Sequence, residues 1–459
     1  MWSTRRATPA VAAFGLVALS AFPAAASMTA TSSGAGPQIF GIPYEFILFA
    51  LTLIGVGLFH HRTFLVAVTG LSAIIAYKFF VTGFAEGAGL EGLQAHMWHE
   101  RVTLSNLFLL LIGFAVLSRQ FEDSKAPDAM PALLPDNWMG GLALLAMVLV
   151  LSSFLDNIAA ALIGGVVARH VYHGKVHIAY LAGIVAASNA GGAGSVVGDT
   201  TTTMMWIDGV SPLNVVHAYV GSAVAFLVFS IPISIVQQFH QPIQKHREGE
   251  FKIDWTRVSV VGIILLTAIS ANVCANLFAP ELLDQYPVIG IGVWAAIIVT
   301  AVVRKPLFKV IPGQLKGALF LLSLVTCASL MPVERLPEAS WQVALGLGFV
   351  SSVFDNIPLT ALALNQGGYD WGMLAYCVGY GGSMIWFGSS AGVALSNQYP
   401  EARSAVKWLL HGWWVVLGYV AGFFALLYVM GWHPHAPHKA DPTTVPHASP
   451  MGDPATASP

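Results

Sequence analysis

Long apolar runs separated by short polar segments dominate the sequence. A helix that crosses the hydrocarbon core of a bilayer needs about 20 mostly apolar residues. Runs near that length predict ordinary membrane-spanning helices at residues 43–60, 63–84, 102–119, 213–237, 256–278, 287–303, 317–331 and 404–430. The pattern therefore predicts an all-α polytopic membrane protein.

Two further apolar runs are interrupted by the same polar phrase. Residues 152–158 read SSFLDNI, and residues 351–357 read SSVFDNI. The apolar run before the first phrase has about 14 residues, or about 21 Å of helix, which reaches only the middle of a core about 30 Å thick. We therefore expect two re-entrant hairpins with their tips at these phrases, returning through residues 158–168 and 359–364.

An interrupted helix is expected after each hairpin. Residues 189–203 contain four glycines and four threonines, and residues 371–397 repeat the glycine spacing. Because glycine weakens a helix, an unwound stretch is predicted in each copy, although close helix packing is a competing explanation for such glycines. The expected helix-break residues are Gly191, Gly192, Gly198, Gly381, Gly382 and Gly388.

The duplicated motifs predict an internal repeat of inverted topology, with repeat one at about residues 102–240 and repeat two at about residues 317–430. Basic loops gather on the cytoplasmic side of membrane proteins. If the first hairpin crossed the membrane, the basic loops near Lys245 and Lys305 would face outward. The charge pattern therefore favours a first hairpin open to the cytoplasm and a second hairpin open to the outside.

The two ends of the chain differ from the membrane domain, residues 40–430. Residues 1–27 combine Arg5 and Arg6 with an apolar core and a small-residue end, which predicts a signal peptide or, alternatively, an uncleaved first helix. Residues 432–459 are rich in Pro and His, which favours a disordered tail over metal binding. We expect a multi-pass protein of a bacterial-type inner membrane with both mature termini outside the cytoplasm.

Composition excludes several classes of protein. The chain has 459 residues, of which 56% are hydrophobic and 10% charged, and this excludes one soluble domain with a charged surface. The basic residues are scattered rather than collected in a patch, so a nucleic-acid partner is not expected. Cys274, Cys327 and Cys377 lie in apolar runs without a CxxC spacing, which indicates packing rather than disulfides or zinc.

Buried aspartates carry the candidate chemistry. No lysine or arginine in the repeats lies at the depth of Asp156, Asp199 or Asp355, and an unpaired carboxylate at the bilayer centre is costly. Burial disfavours the charged acid, so a proton and an alkali cation can compete for the same group. Amide, hydroxyl and backbone oxygens are hard ligands suited to Na⁺ or Li⁺, although a hydroxyl often bonds to its own helix instead.

The candidate ion-binding or proton-binding residues are Asp156, Asn157, Asn189, Asp199, Thr200, Thr201, Thr202, Ser352, Asp355, Asn356, Ser389 and Ser390. Asp156 and Asp355 are the expected Na⁺ ligands. Neither a cofactor nor an enzymatic activity is expected.

Three phrases resemble the NhaD-type sodium/proton antiporters, within a citrate-transporter-like ion-transporter superfamily. They are FLDNI at residues 154–158, SNAGG at residues 188–192 and GDTTT at residues 198–202. The resemblance spans roughly residues 40–430. It implies a scaffold part and a moving part, a homodimer in the lipid bilayer, and exchange of Na⁺ or Li⁺ for H⁺.

These features predict a secondary active transporter that exports Na⁺ or Li⁺ in exchange for protons by alternating access. A carboxylate or arsenite transporter on the same scaffold is the first alternative, but aspartates at both tips would repel a dianion. An intramembrane aspartyl protease is the second alternative. The Gly-x-Gly-Asp phrase of those proteases is absent, since residues 196–199 read VVGD.

Overall fold

The computed structural model describes residues 37–39, 41–59, 62–244, 252–279 and 281–435. The predicted signal peptide, residues 1–27, lies outside the described residues, as do Lys245 and residues 436–459 of the predicted tail. The predictions for those segments therefore stay predictions.

The described part of the chain begins with a short antiparallel pair, β1 (Gln38–Ile39) and β2 (Ile42–Pro43). The helices of the first half are α1 (Tyr44–Leu58), α2 (Thr63–Tyr77, continued by a π-helical turn at Lys78–Thr82), α3 (Gly89–Glu122), α4 (Trp138–Ser152), α5 (Asn157–Val171), α6 (Ile178–Ala193), α7 (Thr200–Ile207) and α8 (Ala218–His240).

The helices of the second half are α9 (Trp255–Phe278), α10 (Val288–Thr300), α11 (Ile311–Ser329), α12 (Trp341–Ser351), α13 (Asn356–Gln366), α14 (Trp371–Gly381), α15 (Ser390–Gln398) and α16 (Ala405–Met430). Short helical turns connect them at Ala126–Ala129, Met130–Leu133, Pro212–Val216, Glu281–Gln285, Phe308–Val310, Val333–Arg335, Gly382–Met384 and Pro400–Ala402.

Six helices within the described residues are long and apolar enough to cross a membrane: Thr63–Thr82, Gly89–Glu122, Pro212–His240, Trp255–Ala275, Phe308–Ser329 and Ala405–Met430. The all-α polytopic prediction is thereby confirmed. Three predicted spans differ in length. The run at 43–60 forms a helix of 15 residues and the run at 287–303 one of 13 residues, whereas the run at 102–119 belongs to a helix of 34 residues.

The interrupted helices lie at the centre of the protein. Every residue of α14 is buried, and α6 is buried from Ala179 to its end. Helix α6 packs against α4, α8, α14 and α16. Its alanines, glycines and serine allow the neighbouring backbones to approach closely, as is typical of helix packing in membranes.

Three stacked tyrosines join α14 to α16. The rings of Tyr376 and Tyr419 lie 5.8 Å apart, and those of Tyr380 and Tyr419 lie 6.2 Å apart. The hydroxyl of Tyr419 donates a hydrogen bond of 2.8 Å to the carbonyl of Leu345 in α12. This contact ties the second hairpin to α16.

Candidate functional site

Both polar tips interrupt helices where the sequence predicts. Helix α4 ends at Ser152 and α5 begins at Asn157, while α12 ends at Ser351 and α13 begins at Asn356. The aspartate before each asparagine is the N-cap residue, with φ −52° and ψ 138° in the first tip and φ −54° and ψ 139° in the second. The two tips therefore share one backbone conformation, and each presents its acid at the positive end of a helix.

The helix breaks that follow are shorter than predicted. The sequence predicts unwinding from residue 189 to residue 203, but α6 continues to Ala193 and α7 already begins at Thr200. The break between α14 and α15 spans residues 382–389 and includes a single 3₁₀ turn. The N-caps of the resumed helices again match, with φ −142° and ψ 144° at Asp199 and φ −140° and ψ 152° at Ser389.

Gly191 and Gly192 lie within α6, so the prediction that they break this helix is wrong. Gly381 is the last residue of α14, and Gly382 opens the 3₁₀ turn at the start of the second break, as predicted. Close packing explains two of them. A Cβ atom on Gly191 would lie 2.0 Å from the carbonyl oxygen of Leu149, and one on Gly381 would lie 2.4 Å from that of Gly348. Each interrupted helix thus presses directly on the backbone of its hairpin.

Gly198 and Gly388 do lie in the breaks, as predicted. A Cβ atom on Gly198 would lie 2.1 Å from the carbonyl oxygen of Ser152, and one on Gly388 would lie 2.4 Å from that of Ser352. The chain therefore packs each break against the tip of the preceding hairpin. Only glycine leaves room for this approach.

The two tip asparagines both bind the first interrupted helix. Asn157 Nδ2 donates to Asn189 Oδ1 at 3.1 Å, and Asn189 Nδ2 donates to Ser383 Oγ at 3.0 Å. Asn356 Nδ2 donates to Asp199 Oδ2 at 3.3 Å. All five side chains are buried. Because the amide nitrogens are used in these bonds, the amide oxygens of Asn157 and Asn356 are left to accept a ligand.

The three aspartates are held differently. Asp355 accepts hydrogen bonds at both oxygens, from the Ile357 N–H at 3.1 Å and from the Ser390 hydroxyl at 3.2 Å. Among the described residues no side chain donates a hydrogen bond to Asp156. Asp199 is 3% exposed, and both Asp156 and Asp355 lie near enough to interact with its charge. The three predicted acids are thus brought to one region.

Several predicted hydroxyl ligands are already bonded to backbone. Thr202 donates to the carbonyl of Ser195 at 2.5 Å, and Ser352 donates to the carbonyl of Phe349 at 2.6 Å. Ser389 caps α15 by accepting a hydrogen bond from a backbone N–H. These hydroxyls have the structural role that the sequence left open as an alternative.

Thr200 and Thr201 differ from their neighbours. The Thr201 hydroxyl is buried without a hydrogen-bond partner in the described part of the chain. Thr200 is half-buried and lines a cavity. Their hydroxyl oxygens therefore have acceptor sites free for a ligand.

A cavity of about 340 Å³ reaches the site along α3 and α11. Its polar lining consists of Ser118, Arg119, Glu122, Asp156, Asn157, Asp199, Thr200, Thr203, Gln314, Asn356 and Ser390. The stretch of α3 that lines it, from Leu107 to Glu122, rises about 22 Å. Arg119 pairs with Glu122 at 3.0 Å near the C-terminal end of α3. The cavity thus joins the aspartates to a charged helix end.

The site is rich in oxygen but poor in ligands for transition metals. No group of three or more His, Cys, Asp or Glu side chains among the described residues has a metal-binding arrangement. The expected Na⁺ site at Asp156 and Asp355 would therefore need amide, hydroxyl and backbone oxygens as well. Such a mixed oxygen set suits a weakly held alkali cation.

Sequence reasoning missed Ser383 and the walls supplied by α3 and α11. Ser383 directly follows the second Gly-Gly pair, so its position in the duplicated motif could have identified it. The pairing of α3 with the aspartates depends on tertiary packing, for which the sequence pattern carries no signal.

No family model matches the chain. Curated relatives do match it over most of its length. "Sodium/proton antiporter 1" of Arabidopsis thaliana is 25% identical over 451 residues, which cover 89% of this chain and 73% of the relative. "Na(+)/H(+) antiporter NhaD" of Vibrio cholerae is 25% identical over 444 residues, covering 83% and 88%. "Na(+)/H(+) antiporter NhaD" of Alkalimonas amylolytica is 25% identical over 389 residues, covering 73% and 80%.

The similarity covers 73–89% of this chain in these three relatives. The chain also has the apolar helices of a multi-pass membrane protein. Over most of its length the chain is similar to sodium/proton antiporters of the NhaD type.

Proposed function

We propose that the protein is a secondary active transporter that exports Na⁺ or Li⁺ in exchange for H⁺ by alternating access. One observation carries this proposal: Asp156, Asp199 and Asp355 gather beside amide and hydroxyl oxygens at interrupted helices, at a cavity. In the described part of the chain, no lysine or arginine forms an ion pair with these acids. A proton or a small cation is left to neutralise them.

The donor set supports a cation rather than an anion as cargo. Aspartate carboxylates and the free oxygens of Asn157 and Asn356 attract a cation, whereas a carboxylate or arsenite substrate would need hydrogen-bond donors or positive charge. The relatives are named as sodium/proton antiporters, which also favours a cation as cargo. We therefore do not retain the anion transporter or the protease as a candidate function.

In the proposed mechanism, the exchange depends on competition for the same acids. Asp156 and Asp199 both line the cavity, so water and ions can reach them in this conformation. A Na⁺ ion that displaces the bound protons would be held by carboxylate and amide oxygens. The Na⁺-loaded site would then open to the outside, release Na⁺ and bind protons there. The protonated site would return and release those protons to the cytoplasm, so that proton entry drives Na⁺ export.

We further propose that α4–α7 and α12–α15 are the cores of two inverted repeats, at about residues 102–240 and 317–430. The matched tips, caps and glycine contacts support the duplication. With Arg119 placed in the cytoplasm by the positive-inside rule, the cavity would open to the cytoplasm. The inner-membrane location, external termini and homodimer implied by the family resemblance remain predictions that labelling of each face and mass measurement can check.

Everted membrane vesicles test the function directly. Respiration acidifies the lumen, and addition of Na⁺ or Li⁺ should raise the lumenal pH of vesicles that contain this protein. K⁺, citrate and arsenite serve as comparison substrates. A rise with citrate or arsenite but not with Na⁺ or Li⁺ would contradict the proposed function.

The same assay tests the acids. Asp156→Asn, Asp199→Asn and Asp355→Asn should each abolish exchange while the protein still inserts and folds. Glu338→Gln, at an exposed acid away from the site, is the control and should transport normally. Wild-type exchange by the Asp156→Asn, Asp355→Asn double variant would falsify the assignment.

A further inference from the structure

The two copies of the motif hold their tip aspartates differently. In the second copy the Ser390 hydroxyl donates to Asp355 Oδ2 at 3.2 Å. Ser390 is the first residue of α15, directly after its N-cap, and Thr200 has the same place in α7. Thr200 is therefore the counterpart of Ser390, and Asp156 is the counterpart of Asp355.

The corresponding bond is absent from the first copy. No hydrogen bond joins Thr200 to Asp156 in the part of the chain that the structure describes, and both residues line the cavity. The tip and cap dihedral angles agree between the copies within about 10°, as given above. The difference therefore lies in the contact between tip and resumed helix, not in the local fold.

The two tip aspartates also differ in their access to the cavity. Asp156 lines the cavity, and no side chain of the described residues donates a hydrogen bond to it. Asp355 accepts a hydrogen bond at each oxygen and does not line the cavity. One acid is thus accessible while its counterpart is bonded. An alternating-access cycle requires this relation to reverse when the site opens to the opposite side.

We propose that Ser390 and Thr200 are alternating positioning residues: Ser390 holds Asp355 while the cavity opens toward Asp156, and Thr200 holds Asp156 when the opposite side opens. This inference rests on the proposed function and its inverted repeats. Each hydroxyl acts through the aspartate it binds, and the two bonds form in different conformations. Loss of one hydroxyl should therefore bias the equilibrium against the conformation in which it bonds.

The direction of each effect follows from this assignment. Ser390→Ala should reduce the population of the conformation described here, and Thr200→Val should increase it relative to the opposite conformation. A charge-assisted hydrogen bond is among the stronger ones, so we expect a shift of about tenfold in the equilibrium constant for each variant. The double variant should return close to the wild-type balance, because the two effects oppose each other.

Cysteine labelling in proteoliposomes measures this balance without measuring transport. Ser118, which lines the cavity, is replaced by cysteine as the reporter, and the exposed Cys274 is replaced by alanine. Labelling by a membrane-impermeant maleimide added to the cytoplasmic face should slow in Ser390→Ala. It should recover in the Ser390→Ala, Thr200→Val double variant. Ser390→Thr and Thr200→Ser, which keep the hydroxyl, should label like the wild type.

The outcomes separate this inference from simpler roles. If both hydroxyls merely bind the ion, single variants would weaken the apparent Na⁺ affinity, the double variant would be weakest, and labelling would not change in opposite directions. That result, or unchanged labelling in Ser390→Ala, would overturn the proposal. Should Ser390→Ala not fold, faster labelling in Thr200→Val still supports the proposal and slower labelling overturns it.

Failure of the proposed function would look different again. In that case the wild-type protein would exchange no Na⁺ or Li⁺ for H⁺ in vesicles, whatever its labelling. Opposed shifts in labelling together with normal cation exchange would support both proposals.

Discussion

Replacing Gly198 by alanine tests the contact that places the first helix break against its hairpin. The added Cβ would lie 2.1 Å from the carbonyl oxygen of Ser152. Carbon and oxygen atoms in favourable contact lie about 3.3 Å apart or more, so the break and the tip must separate by about 1.2 Å. Overpacking of this kind costs about 1–3 kcal/mol of stability. A displacement of about 1 Å at a site can lower a rate about 100-fold.

We therefore expect Gly198→Ala to reduce the rate of Na⁺-dependent proton exchange in vesicles by about 100-fold. The variant should also unfold at a lower temperature in detergent, but it should still fold. Gly388→Ala should behave alike, because its Cβ would lie 2.4 Å from the carbonyl oxygen of Ser352. Gly262→Ala in α9 is the matched control, since its Cβ would meet no atom of a neighbouring element within 4 Å. Normal transport and stability in Gly198→Ala would refute the reasoning.

Three further variants test the surroundings of the site by thermal unfolding in detergent. Burial and two neighbouring histidines lower the pKa of His177, whose Nδ1 caps α6. As the pH falls below about 6.5, the unfolded chain binds a proton at this histidine more readily than the folded protein does, so stability should fall. His177→Asn replaces the capping nitrogen by an amide oxygen that cannot titrate, and should flatten this pH dependence; an unchanged dependence would contradict the assignment to His177. Tyr419→Phe removes the hydrogen bond to α12 and should cost about 1 kcal/mol, whereas no loss would show that the stacked ring alone secures this contact. Asn106→Leu leaves the buried N–H of Gly290 without its acceptor and should cost about 1–3 kcal/mol, and full stability would contradict the importance of this bond between α3 and α10.

The hairpin tips could be predicted from sequence because their signal is local. The polar phrase around Asp156 and its copy around Asp355 interrupt apolar runs too short to span a membrane, and the structure ends a helix at each. The capping position of both aspartates follows from the same fact, since an acid before a helix favours its first N–H groups. The local sequence signal is therefore sufficient to identify both tip aspartates as candidate site residues.

The extent of unwinding could not be predicted, because it depends on packing. Gly191 weakens a helix in isolation, yet α6 continues through it because the helix gains close contact with Leu149. Thr202 could equally bind an ion or its own backbone, and only the folded chain shows that its hydroxyl reaches the carbonyl of Ser195. Composition carries no information on either choice.

The duplication is unequal at its centre, and the inequality has a physical reason. Asn189 lies two residues before Gly191, and the corresponding place before Gly381 is Gly379; likewise Asp199 corresponds to Ser389. A Cβ atom on Gly379 would lie 3.5 Å from Asp199 Oδ2 and 3.3 Å from the Cβ of Ala193. The second copy therefore has a glycine, without a side chain, at the position that packs against the Asp199 carboxylate of the first copy. A second central acid in place of Ser389 would add like charge to a site that already holds three carboxylates, and in a medium of low dielectric constant that repulsion is large. The two copies therefore share one central acid, Asp199, between the tip aspartates Asp156 and Asp355. This arrangement suits a single exchange site rather than two.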